Sequence, residues 1–414
     1  MGRGVSLTRF PLDRVPVEVK RIAARLHESG HEAWYVGGAV RDLLYELHTG
    51  TRPPRTGDFD IATSALPEVV RALFRRTVPI GIEHGTVAVL DDASVAHEVT
   101  TFRKDVTTDG RHAVVEFGVA LEEDLARRDY TINAIAVHPE TGELRDPFGG
   151  QADLARRLVR AVGDAPTRLA EDRLRVLRGL RFAASFSFEI EPATWAAIAA
   201  AAGEVAYLSR ERVRDEWLKM LATSQPSAGV GLWRRAGALV VVWPELASLP
   251  REREPWLDLV APRDPVLVTA AALYHAGRAA AEADAACQRL RFSGKDAERV
   301  RAVVAGLGEG LPPGAGEPVR RWLTRHRAVA DDVIGASQPV EPREPARAAV
   351  REVLASGAPL AVGELAVSGD DLKAAGIPAG PAMGGILRRL LEECLADPRR
   401  NTRERLLARA RELA

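Results

Sequence analysis

The feature that most constrains this chain is a change of period along it. Up to about residue 163, short β-like runs alternate with helical ones, and beyond it strand signals almost vanish. Ala33–Val36, Phe59–Ala62, Thr86–Leu90, Ala96–Thr101 and Ile132–Val137 read as strands punctuated by Pro and Gly, and Pro67–Arg75 reads as a helix. From Asp164 onward apolar residues recur three and four apart through Ala- and Leu-rich stretches, which predicts helix nearly to the end. At 414 residues the chain also exceeds what one hydrophobic core supports. The expected fold class is α+β: a small mixed-sheet head followed by an all-helical remainder.

Composition excludes more than it identifies. No apolar run reaches membrane-spanning length, and Met1–Phe10 has no apolar core of a secretory signal. Cys287 and Cys394 lie far apart, which rules out a Cys-rich zinc site or disulfide framework and suits a reducing cytoplasm. The 57 basic residues balance 57 acidic ones, so net charge points to no nucleic-acid partner. Between Arg156 and Arg181, however, eight arginines stand against Asp164, Glu171 and Asp172. Such a patch can neutralise phosphates. Arginine outnumbers lysine along the whole chain, so compositional bias accounts for the patch equally well.

The chemistry centres on Gly37-Gly38-Ala-Val-Arg41-Asp42 followed by Asp58-Phe59-Asp60-Ile61. Carboxylates at i and i+2 of a strand share a face, because side chains alternate. Like charges that close raise a pKa unless a cation intervenes. Hard oxygen ligands suit Mg²⁺, which takes one or two carboxylates plus substrate phosphates. The glycine pair opens an expected helix, where backbone N–H groups can meet phosphate oxygens, and Arg41 adds a planar fork. Each piece alone is ordinary, since a Gly-Gly pair is usually a turn and Asp-x-Asp a solvated loop. Their ordered combination points to function, at a metal site able to serve an in-line phosphoryl displacement.

With Arg127-Arg-Asp-Tyr-Thr-Ile-Asn-Ala134 and Glu171-Asp-Arg-Leu-Arg175 added, the sequence resembles the bacterial class II CCA tRNA nucleotidyltransferases, which share ancestry with bacterial poly(A) polymerase. The likeness is dense over the first 225 residues and resumes near Arg289–Lys295 and Ser368–Pro381. It implies a polymerase-beta-like nucleotidyltransferase head (1–163), a base-selecting neck (164–225), a degenerate HD-like body (226–350) and a tRNA-binding tail (351–414). It further implies that Gly38 and Arg41 bind the incoming triphosphate, that Asp58 and Asp60 are catalytic and hold Mg²⁺, and that Arg128 reaches ribose and phosphates. Asp172 and Arg175, with Arg178 and Arg181, would select the base of CTP or ATP by pairing with its edge. On a continuous helix Arg181 lies about half-way round from Asp172, which weakens its case, and Glu171–Arg175 makes a favourable i,i+4 pair that a plain salt-bridged helix would also show. Glu98 is a further candidate ligand or base, and equally a partner for Arg103. Asp146-Pro-Phe-Gly-Gly-Gln-Ala-Asp-Leu154 resembles the hinge between head and neck.

The implied partners are tRNA, CTP and ATP, with no membrane and no protein partner, in the cytoplasm. Arg103–His112 resembles the flexible loop that switches specificity from CTP to ATP, which argues against an enzyme adding only CC. An A-adding or poly(A)-adding relative would share the site. A small-molecule nucleotidyltransferase would need neither the neck motif nor the long helical tail. Two departures stand out: Leu44–Gly57 is longer than usual and is expected as an exposed loop, and His275-Ala276 replaces a His-Asp pair, so no phosphohydrolase activity is expected. Arg320, Arg321, Arg325 and Arg327 suggest a basic, solvated helical face. Gly380-Pro381 opens a helix whose N–H groups could meet a phosphate.

Overall fold

The computed structural model describes residues 7, 9–52, 58–108, 113–337, 339, 341 and 343–414. Two units divide the chain, Met1–Pro244 and Glu245–Ala414.

The first unit begins with α1 (Val17–Glu28), whose Val19, Ile22, Ala23 and Leu26 recur at helical spacing and are buried. It leads into β1 (Ala33–Val36), α2 (Gly38–Thr49), β2 (Asp60–Thr63) and α3 (Pro67–Leu73). Strands β3 (Thr77–Gly81), β4 (Thr86–Leu90), β5 (Ala96–Thr101), β6 (Arg103–Thr108) and β7 (Ala113–Phe117) follow. After α4 (Leu121–Ala126) come β8 (Ala136–Val137), β9 (Leu144–Arg145), α5 (Gly150–Arg156) and β10 (Leu158–Val159). Seven strands form one sheet in the order β3-β4-β5-β2-β1-β8-β9. Within this sheet, among the described residues, only β2 and β5 run parallel, with Ile61 opposite Val99. That register sets the first residue of β2, Asp60, beside Glu98.

Four expectations are corrected here. The run Ile132–Val137 is a short 3-10 turn, Thr131–Asn133, followed by the two-residue β8. The Asn133 side chain is committed to Asp129 rather than to a strand face. The stretch Leu44–Gly57 is not all loop: α2 continues to Thr49 with Leu44 and Tyr45 buried, and Gly50 ends it in the left-handed conformation at φ 69°. Residues 53–57 lie outside the described residues. The segment expected as a flexible loop is a hairpin, β6 paired antiparallel with β7, while residues 109–112 lie outside the described residues.

The last correction concerns the neck. Helix α6 (Ala165–Glu171) starts on an Asp164 cap that accepts the Thr167 N–H, then stops at Asp172, whose backbone is extended. The Asp172 carboxylate instead accepts the Leu174 N–H at 3.0 Å and so begins α7 (Leu174–Phe186). An aspartate satisfying the orphan N–H of a new helix outcompetes one more turn of the old. After β11 (Glu189–Ile190) come α8 (Pro192–Ala201) and α9 (Arg210–Leu221), the latter capped by Ser209. Trp217 of α9 packs edge-on against Trp233 and tilted against Trp243, with ring centroids 5.3 and 5.2 Å away.

Among the described residues of the second unit every regular element is a helix, joined by turns and loops. Its basic run is tied down: Arg320 donates to the Leu395 carbonyl, Arg321 pairs with Glu317 and Glu392, Arg325 with Glu309, and Arg327 with Glu364. The expected basic face is solvated, with Arg325 and Arg327 exposed and Arg321 partly so, and these three carry their charges in ion pairs. His275 is buried against Trp256, its ring centroid 5.2 Å away. Leu372, Ile386, Leu390, Cys394, Leu406 and Ala410 build the core behind the Pro381–Ala396 helix.

Candidate active site

A cleft of about 550 Å³ in the first unit gathers residues from β1, α2, β2, β5, the Arg127–Asn133 segment, α7 and α9. Nine of its lining side chains are cationic and four are acidic, an excess suited to a polyphosphate. Gly38, Arg41, Asp60, Glu98, Arg128, Asp172, Arg175, Arg178 and Arg181 all reach it. Asp58 does not. It lines a second hollow with Phe59, Asp42 and His97, and its carbonyl accepts the Ala39 N–H at 3.3 Å. Because β2 starts at Asp60, strand alternation does not apply to Asp58, and the acid sharing the face of Asp60 is Glu98 from the neighbouring strand.

Gly37 makes the approach of helix and strand feasible. Its φ is +85°, and a Cβ there would lie 2.2 Å from Asp60 Oδ2. Gly38 is the first residue of α2, so the helix N-terminus faces the cleft. Burial, then the nearby Glu98 and Asp58 charges, push the Asp60 carboxyl up to about 7, opposed by Arg128 and Arg41. An acid held that high is poised to accept a cation. Among the described residues no three His, Cys, Asp or Glu side chains enclose a metal by themselves. A partial carboxylate shell completed by substrate phosphates is the arrangement hard divalent ions take, so these residues fit one.

The arginines are held by partners that the sequence reading did not single out. Arg41 pairs with Asp42 at 2.6 Å and donates to Asn133 Oδ1 at 2.9 Å. Asn133 passes the contact on to Asp129 at 2.9 Å, and Asp129 takes the Arg178 guanidinium at 2.7 Å. Burial alone would raise the Asp129 carboxyl, yet Arg178, Asn133 and Arg175 hold it well below the usual range. Arg128 pairs with Asp124 at 3.1 Å and donates to the Asn133 carbonyl at 3.3 Å. Arg181 pairs with buried Glu216 at 2.6 Å. Asp172 pairs with Arg212 at 2.8 Å.

Phe182 sits among three guanidiniums, those of Arg181, Arg41 and Arg178, at 4.2, 5.1 and 5.3 Å from its ring centre. The angular argument against Arg181 fails, because Asp172 is not on that helix. Arg175 turns mostly inward, bonding Glu171 at 2.6 Å and the Arg127 carbonyl at 2.9 Å. Of the missed residues, Asp42, Asp129 and Asn133 were visible inside the quoted motifs. Asp124, Glu216, Phe182 and Arg212 had no local signal, since their partners lie on other elements.

Residues 33–160 match the model of the poly A polymerase head domain, and residues 187–249 that of a probable RNA and SrmB-binding site of polymerase A. The chain is 37% identical over 396 residues to a CCA-adding enzyme of Geobacillus thermodenitrificans, covering 94% of each. A CCA-adding enzyme of Geobacillus kaustophilus is 34% identical over 403 residues, again 94% of each. This chain belongs to the CCA-adding enzyme family. The structure of the Bacillus stearothermophilus CCA-adding enzyme in complex with CTP superposes with a TM-score of 0.79 at 33% identity, covering 95% of this chain and 96% of that one. The α+β, polymerase-beta-like head and helical remainder are thus shared with the CCA-adding family. As nucleotidyltransferases, members of this family work with a divalent metal. Residues 161–186, which carry Asp172 to Arg181, fall between the two matched models.

Proposed function

We infer that this chain adds CCA to the 3′ end of tRNA from CTP and ATP, without a nucleic-acid template and with release of pyrophosphate. One observation carries the reading: Asp60, Gly38 and Arg41 of the head share a single cleft with Arg178 and Arg181 of α7, in a chain similar to CCA-adding enzymes over 94% of its length. We assign Mg²⁺ as the metal and Asp58 and Asp60 as its ligands: Asp60 already faces the cleft beside Glu98, and Asp58, which lines the other hollow, would turn toward the ion on binding. When bound, the ion neutralises the triphosphate and makes the primer hydroxyl a better nucleophile.

The residues of the chain do the rest. Gly38 N–H and Arg41 hold the triphosphate, and Arg128 steadies the ribose and phosphate region. The tRNA 3′-hydroxyl attacks the α-phosphorus, a new P–O bond forms, and the bond to the β-phosphate breaks as pyrophosphate leaves. Positioning and charge stabilisation supply the acceleration. Arg178 and Arg181, braced by Asp129 and Glu216, present fixed donors to the base edge, with Asp172 and Arg175 framing the pocket. Residues 1–163 serve as catalytic head, 164–225 as neck, 226–350 as a body without hydrolase chemistry, and 351–414 as the tRNA-holding tail. No helix among the described residues is long and apolar enough to cross a membrane. On this reading the enzyme works on tRNA in the cytoplasm.

The test supplies tRNA ending at the discriminator base, at CC and at CCA, with labelled CTP or ATP singly and together. Two C and one A followed by arrest is the expected product. If CTP is never incorporated, the enzyme is an A-adding or poly(A)-adding relative. The pair Asp58→Ala and Asp60→Ala should cut transfer by at least about a thousandfold while tRNA binding persists.

A further inference from the structure

Tyr207 is the most exposed of the large apolar side chains among the described residues, with 74% of its surface open. It ends the 3-10 turn Ala202–Tyr207, two residues before the Ser209 cap of α9. Both sides of this position lead to the cleft. Arg212, in the first turns of α9, lines it and pairs with Asp172. Arg173, the next residue after Asp172, brings its guanidinium to 5.9 Å from the Tyr207 ring centre while pairing with Glu204 at 2.8 Å. The ring is therefore approached from one direction by Arg173, whose chain neighbours Asp172 and Leu174 line the nucleotide cleft, and is otherwise presented to solvent.

A single exposed aromatic is ordinary on a protein surface, and what singles this one out is the Arg173 guanidinium beside it, next in the chain to cleft-lining Asp172 and Leu174. Neighbouring charges of both signs make a purely electrostatic docking point a poor explanation. A planar ring beside a guanidinium is the surface on which unstacked bases rest. We propose that Tyr207 is a stacking platform for a base of the single-stranded 3′ end of tRNA, holding the primer while its terminal hydroxyl enters the cleft. This rests on the CCA-adding reading above.

The full-length protein with Tyr207→Ala, Tyr207→Leu, Tyr207→Phe and Tyr207→Trp tests it. Expected for Ala and Leu is a KM for tRNA raised about tenfold, with the KM for CTP unchanged and unfolding midpoints like the parent. Phe and Trp should restore the parental KM, because they keep the flat face. A tRNA ending in CC with 2-aminopurine as its discriminator base should be quenched on binding the parent and the Phe and Trp variants, and less so by Leu. If the parent extends tRNA and Tyr207→Ala matches it in tRNA KM, the platform is wrong and the function stands. If the parent extends no tRNA, the function itself falls.

Discussion

At the scale of single residues, the site depends on one contact that leaves no room. Gly37→Ala combines a left-handed backbone with a Cβ driven into Asp60, so it should abolish nucleotide transfer and lower the unfolding midpoint. A transfer rate within tenfold of the parent would show that Asp60 can move away without loss. The Asp60 carboxyl itself predicts a pH effect. Its folded pKa, about 7, lies above the ordinary 3.8, so its contribution to stability is present below 3.8 and is lost as pH rises through 7. A divalent cation that relieves this repulsion should therefore raise the melting temperature more at pH 8 than at pH 6. Calorimetry with and without Mg²⁺ or Mn²⁺ checks this, and Asp60→Asn should remove the difference. An equal gain at both pH values would place the cation elsewhere.

At the scale of elements, α7 is the part to which the head is fitted. Tyr130 Oη donates to the Arg175 carbonyl at 2.6 Å, and a Cβ on Gly179 would lie 2.1 Å from that oxygen. Gly179→Ala should cost about 1–3 kcal/mol through overpacking and shift Arg178 and Arg181 relative to Asp60. Chemical denaturation measures the first effect. The ratio of CTP to ATP incorporation measures the second, and an unchanged ratio would mean that α7 does not position the base. Much of this was legible in the chain. The strands β1, β4 and β5 follow from runs rich in β-branched and aromatic residues, and the glycine pair, Asp60 and the arginines announced a nucleotide site. The break at Asp172 was not legible, because an aspartate one turn before an arginine reads as a helix interior. Nor was the β6–β7 hairpin, whose Arg103-Lys-Asp start lacks any apolar alternation. The braces Asp124 and Glu216 stayed hidden because their pairing is created by the fold.

At the scale of the whole molecule, the chain divides into two units, and the second buries a titratable group of its own. In the second unit, burial first, then Arg253 and Arg343, lower the His275 pKa to about 4. A depressed histidine contributes stability above its ordinary value near 6.5 and loses it as pH falls toward 4. Full protonation would forfeit roughly 3 kcal/mol at about 1.4 per pKa unit. The second unit should thus soften between pH 6 and 4, read as loss of protection in its Pro265–His275 helix by hydrogen exchange. His275→Leu should flatten that dependence. If protection falls equally in the variant, another group controls the acid response.

The braced guanidiniums around Phe182 have a consequence for inheritance of error. A polymerase that copies a strand makes its mistakes one copy at a time, and the original survives to be read again. On the proposed assignment, the instruction for the tRNA terminus is held in folded protein, by Arg178 on Asp129 and Arg181 on Glu216. A substitution in either pair would rewrite the same letters on every acceptor end at once, and no correct original would remain to consult.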